Sequence, residues 1–152
     1  MNWHYKHFDR LTTAELYALL QLRSKVFVVE QNCPYQDLDN KDQKAVHLWY
    51  SDHTGAILAC CRLLPQGVSY PEASIGRVVT DPEARGRNIG RELMERAIRY
   101  VHEHWPATTI RIGAQLYLKQ FYESLSFVQA SEVYLEDNIP HIEMLWQEKQ
   151  QH

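Results

Sequence analysis

A strand, a basic loop and a helix follow one another over residues 74–104, which read SIGRVVT-DPEARGRNIG-RELMERAIRYVHEH. The first seven of these residues are mostly apolar and β-branched, which is typical of a central strand. Residues 91–104 carry apolar side chains at helical spacing, so we predict an amphipathic helix there. Residues 81–90 contain two glycines, one proline and two arginines, and we interpret them as a loop.

The loop has the residue types of an anion site. A helix N-terminus presents unpaired backbone N–H groups and a partial positive charge. Glycine and asparagine tolerate left-handed backbone, which lets a phosphate approach the main chain. The stretch therefore predicts a pyrophosphate site, although an ordinary loop with solvated arginines would have the same composition. It matches neither G-x-x-x-x-G-K-[ST] nor G-x-G-x-x-G. Its seven residues are Arg85, Gly86, Arg87, Asn88, Ile89, Gly90 and Arg91.

Length and composition limit the class of protein. The chain has 152 residues, and 16 Lys and Arg against 19 Asp and Glu give a net charge of −3 at pH 7. We expect one domain over residues 1–152, and this charge excludes a generally basic nucleic-acid binder. No window approaches the ~18 apolar residues of a membrane span, and residues 1–10 lack the apolar core of a signal peptide. Three cysteines, two of them adjacent, argue against a disulfide framework, so we expect a cytoplasmic protein.

The hydrophobic pattern extends the order of elements in both directions. Before the central strand it predicts a strand over 2–8, a helix over 13–28 after a capping box, a structured loop over 30–44, and a hairpin over 45–50 and 56–64. After the central helix it predicts a strand over 108–113, a helix around 118–125, a strand over 127–134, a turn at 137–140, a strand over 141–146 and a polar tail over 147–152. The order is that of a mixed α/β layer structure.

Two motifs in this frame resemble a known family. Residues 85–90 resemble the Q/R-x-x-G-x-G/A signature of the GNAT acetyltransferases, and residues 121–127 resemble their Tyr-Glu-x-Leu-Gly-Phe segment. Within the family the chain is most similar to the ElaA subgroup, over residues 27–35, 75–79 and 139–144. The resemblance implies the α/β GNAT acyl-CoA N-acyltransferase fold, a mixed twisted sheet of six to seven strands with helices on both faces.

Two positions depart from the family pattern. Asn88 and Ser126 stand where the family usually has glycine. Asn88 fits if its backbone is left-handed, and Ser126 is expected to strain the end of a helix.

The resemblance also implies the activity. We therefore expect an acetyl-CoA-dependent N-acetyltransferase. Such an enzyme would transfer the acetyl group directly to a primary amine of a small molecule, without a covalent enzyme intermediate and without a metal. A protein lysine or N-terminal acetyltransferase and a non-catalytic acyl-CoA-binding module remain alternatives. A looser likeness at Arg23 and Phe27, followed by an acidic loop, points to an autoinducer synthase. A homodimer stays open, and neither nucleic acid nor membrane is expected as a partner.

The same resemblance assigns the cofactor contacts. The pyrophosphate is expected on residues 85–91. Backbone N–H groups of Val78, Val79 and Thr80 are expected to meet the thioester carbonyl and the pantetheine arm. Gln115 stands where relatives often carry an asparagine that contacts this arm.

Proton transfer needs an acid for the leaving thiolate and a base for the amine. By resemblance Tyr122 falls on the family tyrosine near the cofactor sulfur, and a phenol with pKa about 10 is protonated at neutral pH. A half-buried aromatic packing position is the alternative. For the base we consider Glu30, His47, His141 and Glu143, and we place His141 first because it begins the last strand beside the expected acceptor site. A hydrogen-bonded strand histidine is the alternative there.

The acceptor site is expected along the acidic segments at 30–42 and 136–137. We place Arg23, Glu30 and His47 there. Arg23 either pairs with an acid of the 30–42 loop, which would order the loop, or binds an acceptor carboxylate. The acids would attract a cationic amine, although solvated loop charge is an equal reading. The histidines and cysteines show no spacing suited to a metal.

Overall fold

The described residues form eight strands in two four-stranded sheets, which share one large hydrophobic core. We describe the fold from a computed structural model, which covers residues 2–106 and 109–148. The first sheet is antiparallel, in the order β1-β2-β3-β4. Its strands are β1 (Asn2–His7), β2 (Val46–Ser51), β3 (Ile57–Leu64) and β4 (Ser74–Thr80).

The second sheet is built around the last strand of the chain. In it β8 pairs antiparallel with β5 on one side and with β6 and β7 on the other. A parallel bridge between Ala73 and Ile110 joins the two sheets. The strands are β5 (Thr109–Gln115), β6 (Phe127–Gln129), β7 (Tyr134–Glu136) and β8 (Ile139–Gln147).

Helices cover both faces of the first sheet. The helices are α1 (Thr13–Arg23), a π-helical segment (Ser24–Glu30), α2 (Ile89–His104) and α3 (Lys119–Glu123), with 3-10 turns at Phe8–Arg10, Asp42–Lys44, Pro82–Ala84 and Leu116–Leu118. A capping box between Thr12 and Glu15 opens α1, as its sequence predicts. Trp49 packs in the cluster under α1, whereas its neighbour Leu48 packs in the larger cluster with α2. Because successive side chains of β2 point to opposite faces of the sheet, this strand contributes to both hydrophobic clusters.

The structure confirms the mixed α/β order and corrects several bounds. The part of the chain that the structure describes has eight strands rather than six to seven, because the predicted strand over 127–134 is divided into β6 and β7. The helix expected over 13–28 ends as α1 at Arg23 and continues in π geometry to Glu30. The central helix begins two residues early, at Ile89, and β8 begins at Ile139. The predicted strand start at Thr108, together with residues 149–152 of the tail, lies outside the described residues.

Candidate active site

A wedge separates β4 from β5 beyond their shared start. The two strands lie side by side where Arg111 N donates to Ala73 O at 2.9 Å. Within the described residues, each then pairs only with its outer neighbour, β3 or β8. The inner edge of β4 therefore offers backbone groups to an extended ligand. Since Asp81 donates its N–H to Leu58 on β3, strand alternation turns the N–H groups of Thr80 and Val78 into the wedge, whereas that of Val79 turns toward β3.

A bulge distorts β4 at the mouth of this wedge. Cys60 pairs with Val79 and Arg62 with Gly76, so Cys61 faces two residues, Arg77 and Val78. Arg77 has left-handed backbone with φ of 49°. That conformation is unfavourable for a residue with a Cβ, so surrounding contacts must hold it.

Those contacts form a closed ring of alternating charges, which we call the Arg–Asp ring. It joins the end of α1, β3, the β4 bulge and the loop at 37–42, and each member contacts the next. In order round the ring the members are Arg77, Asp37, Arg23, Asp42, Arg62 and Asp39, which returns to Arg77.

The contacts of the ring are short. Arg23 lies 2.8 Å from both Asp37 Oδ2 and Asp42 Oδ1. Arg62 reaches Asp42 Oδ1 at 3.1 Å and Asp39 Oδ2 at 2.6 Å. Arg77 Nη2 lies 3.3 Å from Asp39 Oδ2, and Arg77 Nε lies 2.7 Å from Asp37 Oδ1. The Nε–H is not aligned with that oxygen, so this last contact is a charge pair rather than a hydrogen bond.

The arginines of the ring keep Asp39 and Asp42 charged despite their burial. Burial alone would raise the pKa of Asp42, but hydrogen bonds and charge from Arg23 and Arg62 outweigh it and lower that pKa. Arg62 and Arg77 lower the pKa of Asp39 in the same way against its burial. The carboxyl groups of Asp39 and Asp42 are therefore ionised at neutral pH, and each lies between two arginines.

The loop at 85–91 places the N-terminus of α2, which has no side-chain cap, beside the wedge. Asn88 is the N-cap of α2 with φ of 61°, and its side chain makes no capping hydrogen bond. Gly86 has φ of 83°. A Cβ on Gly90 would lie 3.3 Å from Thr80 Oγ1, so glycine allows α2 to start close against β4. The first turn of α2 thus presents backbone N–H groups beside the inner edge of β4.

Three guanidinium groups surround this helix end. Arg85 pairs with Glu30, with Nη2 2.6 Å from Oε1 and Nη1 2.9 Å from Oε2. Arg91 donates to Ser124 Oγ at 2.8 Å. Arg87 is exposed, and its Nη2 lies 3.5 Å from Glu83 O. The pair with Arg85 also places Glu30 against the loop at 85–91, although we expected Glu30 at the acceptor site.

Tyr122 lies in α3 with its ring in the larger core. It is 6% exposed and packs against the rings of Phe121 and Phe127, with centroids 5.2 and 5.8 Å away. Burial raises the pKa of its phenol, which keeps it protonated at neutral pH. Its hydroxyl makes no hydrogen bond to another residue in the described part of the chain. Packing and a role as an acid are therefore compatible for this side chain.

His141 and Gln115 are cross-strand partners beside the wedge. Gln115 and Gln31 exchange side-chain hydrogen bonds of 3.3 and 3.4 Å, which brings the end of the π-helical segment to β5. His141 Nδ1 lies 2.6 Å from Ile139 O, so it carries the proton of the neutral ring. Nε2 then has the lone pair and lies 3.6 Å from Glu136 Oε2.

Two residues that we expected at the acceptor site are buried beneath the loop instead. Arg23 and His47 are each 2% exposed. Arg23 realises the first of its two predicted roles, since it pairs with Asp37 and Asp42. His47 Nε2 lies 3.0 Å from Asp42 O, and burial lowers the pKa of its ring. Both side chains support the loop at 37–42 and have no surface to offer an acceptor.

Comparison with known proteins identifies this arrangement. The sequence profile of the acetyltransferase (GNAT) domain matches residues 14–148. The chain belongs to the GNAT acetyltransferase family. Protein ElaA of Escherichia coli is 40% identical over 148 residues, or 95% of each chain. Its crystal structure superposes with a TM-score of 0.89 over 97% of this chain and 100% of that one.

Two further solved structures bear on the GNAT fold. An acyl-CoA N-acyltransferase from Pseudomonas aeruginosa is 45% identical, with a TM-score of 0.89 over 96% of this chain and 99% of that one. An aminoglycoside 6′-N-acetyltransferase complexed with coenzyme A is 17% identical, with a TM-score of 0.70 over 98% and 99% of the two chains, and shares the fold alone. The predicted family, fold, enzyme class and ElaA likeness are confirmed.

Both departures from the GNAT pattern have left-handed backbone. Asn88 has φ of 61° and Ser126 has φ of 76°. Asn88 therefore satisfies the condition under which it replaces glycine. Ser126 carries the strain expected of it, three residues after the end of α3 at Glu123.

Sequence reasoning missed a second polar cluster, on the face of β5 and β8 that turns away from the larger core. A Cβ on Gly113 would lie 3.2 Å from both the Tyr70 and the Tyr134 hydroxyls. Arg111 beside it bridges Glu72 at 3.1 Å and Glu143 at 3.2 Å. A glycine inside a strand signals such a close approach and was the available clue.

Two classes of feature are not found in residues 2–106 and 109–148. No helix there has both the length and the apolar character that crossing a membrane requires. No group of three or more histidine, cysteine or acidic side chains there is arranged to hold a metal ion.

Proposed function

We propose that the protein transfers the acetyl group of acetyl-CoA directly to a primary amine of a small molecule. The observation that carries the proposal is the uncapped N-terminus of α2, with left-handed Asn88 and Gly86 and three nearby arginines, set beside the open edge of β4. These residues fit a pyrophosphate followed by an extended arm. The relative complexed with coenzyme A has the same fold.

Each requirement of acyl transfer then has a group in this chain. Residues 85–91 bind the pyrophosphate, and the arm follows β4 toward the bulge. The N–H groups of Val78 and Thr80 stabilise charge on the thioester oxygen. Tyr122 gives its proton to the departing thiolate. His141 Nε2, with Nδ1–H fixed on Ile139 O, takes the proton from the amine.

Two side-chain hydrogen-bond contacts on the acceptor side favour a small molecule over a protein as the acceptor. The side chains of Gln31 and Gln115 join the π-helical segment to β5. Cys33 Sγ lies 3.7 Å from Asp137 O, which joins the loop at 31–41 to the turn before β8. These bridges narrow the approach to β5 and β8, and an extended peptide would have to displace them.

The same proposal covers the cellular location and the partners of the protein. Cys33, Cys60 and Cys61 are buried free thiols, which suits a reducing cytoplasm. The net charge of −3 gives no reason to invoke nucleic acid, and a homodimer remains to be tested by light scattering.

A panel of acceptors tests the proposal. Small primary amines, lysine peptides and an intact protein are each mixed with acetyl-CoA, and free thiol is followed with a chromogenic disulfide. Release with a small amine, and intersecting initial-velocity lines, are the expected results for direct transfer. Release with peptides or protein alone favours a protein acetyltransferase. Tight acetyl-CoA binding without release to any amine favours a binding module.

A further inference from the structure

We infer that Arg77 is a positioning residue: its guanidinium, held in the Arg–Asp ring, fixes the β4 bulge and thereby aims the Val78 N–H into the wedge. The inference rests on the proposed function, because that function gives the Val78 N–H its task at the thioester oxygen. Arg77 itself touches neither reactant, since its side chain points to the loop at 37–42.

The first step concerns the backbone of the bulge. Arg77 adopts φ of 49°, which an arginine rarely takes up unaided. The bulge places Arg77 and Val78 together opposite Cys61, so the peptide between them sets the direction of the Val78 N–H. Any drift of Arg77 toward ordinary strand geometry would rotate that peptide and move the donor.

The second step concerns what prevents such drift. The Arg77 guanidinium donates to Asp37 O at 3.0 Å and lies 3.3 Å from Asp39 Oδ2. It also lies 6.0 Å from the centre of the Tyr35 ring. All of these partners are in one loop, so the loop clamps the arginine from a single side.

The third step concerns why the clamp is rigid. Asp37 is held by Arg23, a side chain 3% exposed, and Asp39 by Arg62, a side chain 5% exposed. Asp42 joins these two arginines and closes the ring. Because the ring is closed, Arg77 cannot shift without breaking contacts that are anchored in α1 and β3. The bulge is thus held through contacts to α1 and β3, and none of the six members of the ring belongs to residues 85–91.

The test compares three variants at one position with a matched control. Arg77→Gly accepts the left-handed backbone without strain but removes the guanidinium. Arg77→Ala removes the guanidinium and keeps the strain. Arg77→Lys keeps a single cation that can reach the ring. Arg96→Ala removes another partly buried arginine, one that pairs with Glu92 at 3.5 Å and lies 4.7 Å from the Trp3 ring, far from the wedge.

The kinetic readout separates positioning from plain stability. We expect Arg77→Gly and Arg77→Ala to lower kcat about 10- to 100-fold, below the roughly 10²- to 10³-fold loss for a deleted oxyanion donor, since the donor is displaced rather than removed. The dissociation constant of CoA should stay within about threefold, because residues 85–91 are intact. Arg77→Lys should recover part of kcat, and Arg96→Ala should leave kcat unchanged. Wild-type kcat in Arg77→Gly overturns the inference.

A second readout does not need turnover. Amide hydrogen exchange of residues 76–80 is measured in the free protein for the same variants. Faster exchange at Val79, whose N–H turns toward β3 directly after the bulge, is the expected result in Arg77→Gly but not in Arg96→Ala. Unchanged exchange overturns the inference whether or not the wild type is active. If no amine is acetylated by the wild type while exchange responds as expected, the proposed function fails and the control of the bulge by Arg77 stands.

Discussion

Substituting Asp42 by asparagine removes one charge from the Arg–Asp ring and leaves its shape intact. Asp42 Oδ1 receives Arg23 Nη1 at 2.8 Å and Arg62 Nη1 at 3.1 Å. The three side chains are 7%, 3% and 5% exposed. After Asp42→Asn, the buried guanidinium groups of Arg23 and Arg62 lose the carboxylate that they share. Breaking a buried ion pair by removing one partner costs about 3–5 kcal/mol. Asparagine keeps an acceptor oxygen, so we expect the lower part of that range.

Urea unfolding followed by fluorescence gives the free energy of unfolding directly. The expected loss of about 3 kcal/mol corresponds to a fall in Tm of roughly 6–12 °C for a chain of this size. Glu95→Gln is the matched control, because Glu95 pairs with Arg91 at 3.2 Å but is 49% exposed. Such a pair is worth at most about 1 kcal/mol.

The loss of stability in Asp42→Asn should also depend on pH. Because the pKa of Asp42 is lower in the folded protein, its stabilisation is present above the unfolded pKa of about 4 and is lost as the pH falls through the folded value. The difference between wild type and Asp42→Asn should therefore shrink below about pH 4. A loss under about 1 kcal/mol at pH 7, or a difference that grows in acid, would refute the account of the ring.

Three further predictions concern the cofactor side. Tyr122→Phe should lower kcat by about 10²-fold or more at unchanged acetyl-CoA affinity, and unaltered kcat would remove its role as the acid. Glu30→Gln should free Arg85 and tighten acetyl-CoA binding by up to about fivefold in calorimetry, since an exposed ion pair is worth about 1 kcal/mol at most; weaker binding would contradict this competition. Asn88→Gly should bind acetyl-CoA like the wild type, whereas Asn88→Val, strained by about 1–2 kcal/mol at φ of 61°, should bind it more weakly, and equal affinities would show that the left-handed N-cap is unimportant.

The strand, loop and helix at 74–104 were predictable because their signals are local. The short apolar and β-branched run, the glycines of the loop and the helical spacing can each be recognised from residues that are close together in the sequence. The π-helical segment had no such signal, since the apolar spacing over 13–28 suits an uninterrupted helix equally well. The division of β6 from β7 depends on Ala130 N donating to Glu143 O and on Ser131 Oγ accepting from Glu143 N. These contacts reach a strand that comes later in the chain.

The Arg–Asp ring is the part of the site that could not be predicted from the sequence. The sequence suggested that Arg23 would meet an acid of the loop, and it does. Arg62 and Arg77 join the same acids from up to 40 residues away, as between Arg77 and Asp37. No spacing rule links positions so distant, and the buried positions of Arg23 and His47 follow from this tertiary closure.

Calorimetric titration with acetyl-CoA tests most directly whether residues 85–91 bind the cofactor. The account predicts saturable binding by the wild type that is abolished in both Arg87→Glu and Gly90→Trp. Arg87→Glu reverses an exposed charge beside the helix end, and Gly90→Trp fills the 3.3 Å approach to Thr80. As a check on folding, both variants should unfold at a Tm no lower than that of Arg96→Ala. No binding by the wild type at millimolar acetyl-CoA, or binding that survives both substitutions, would contradict the account.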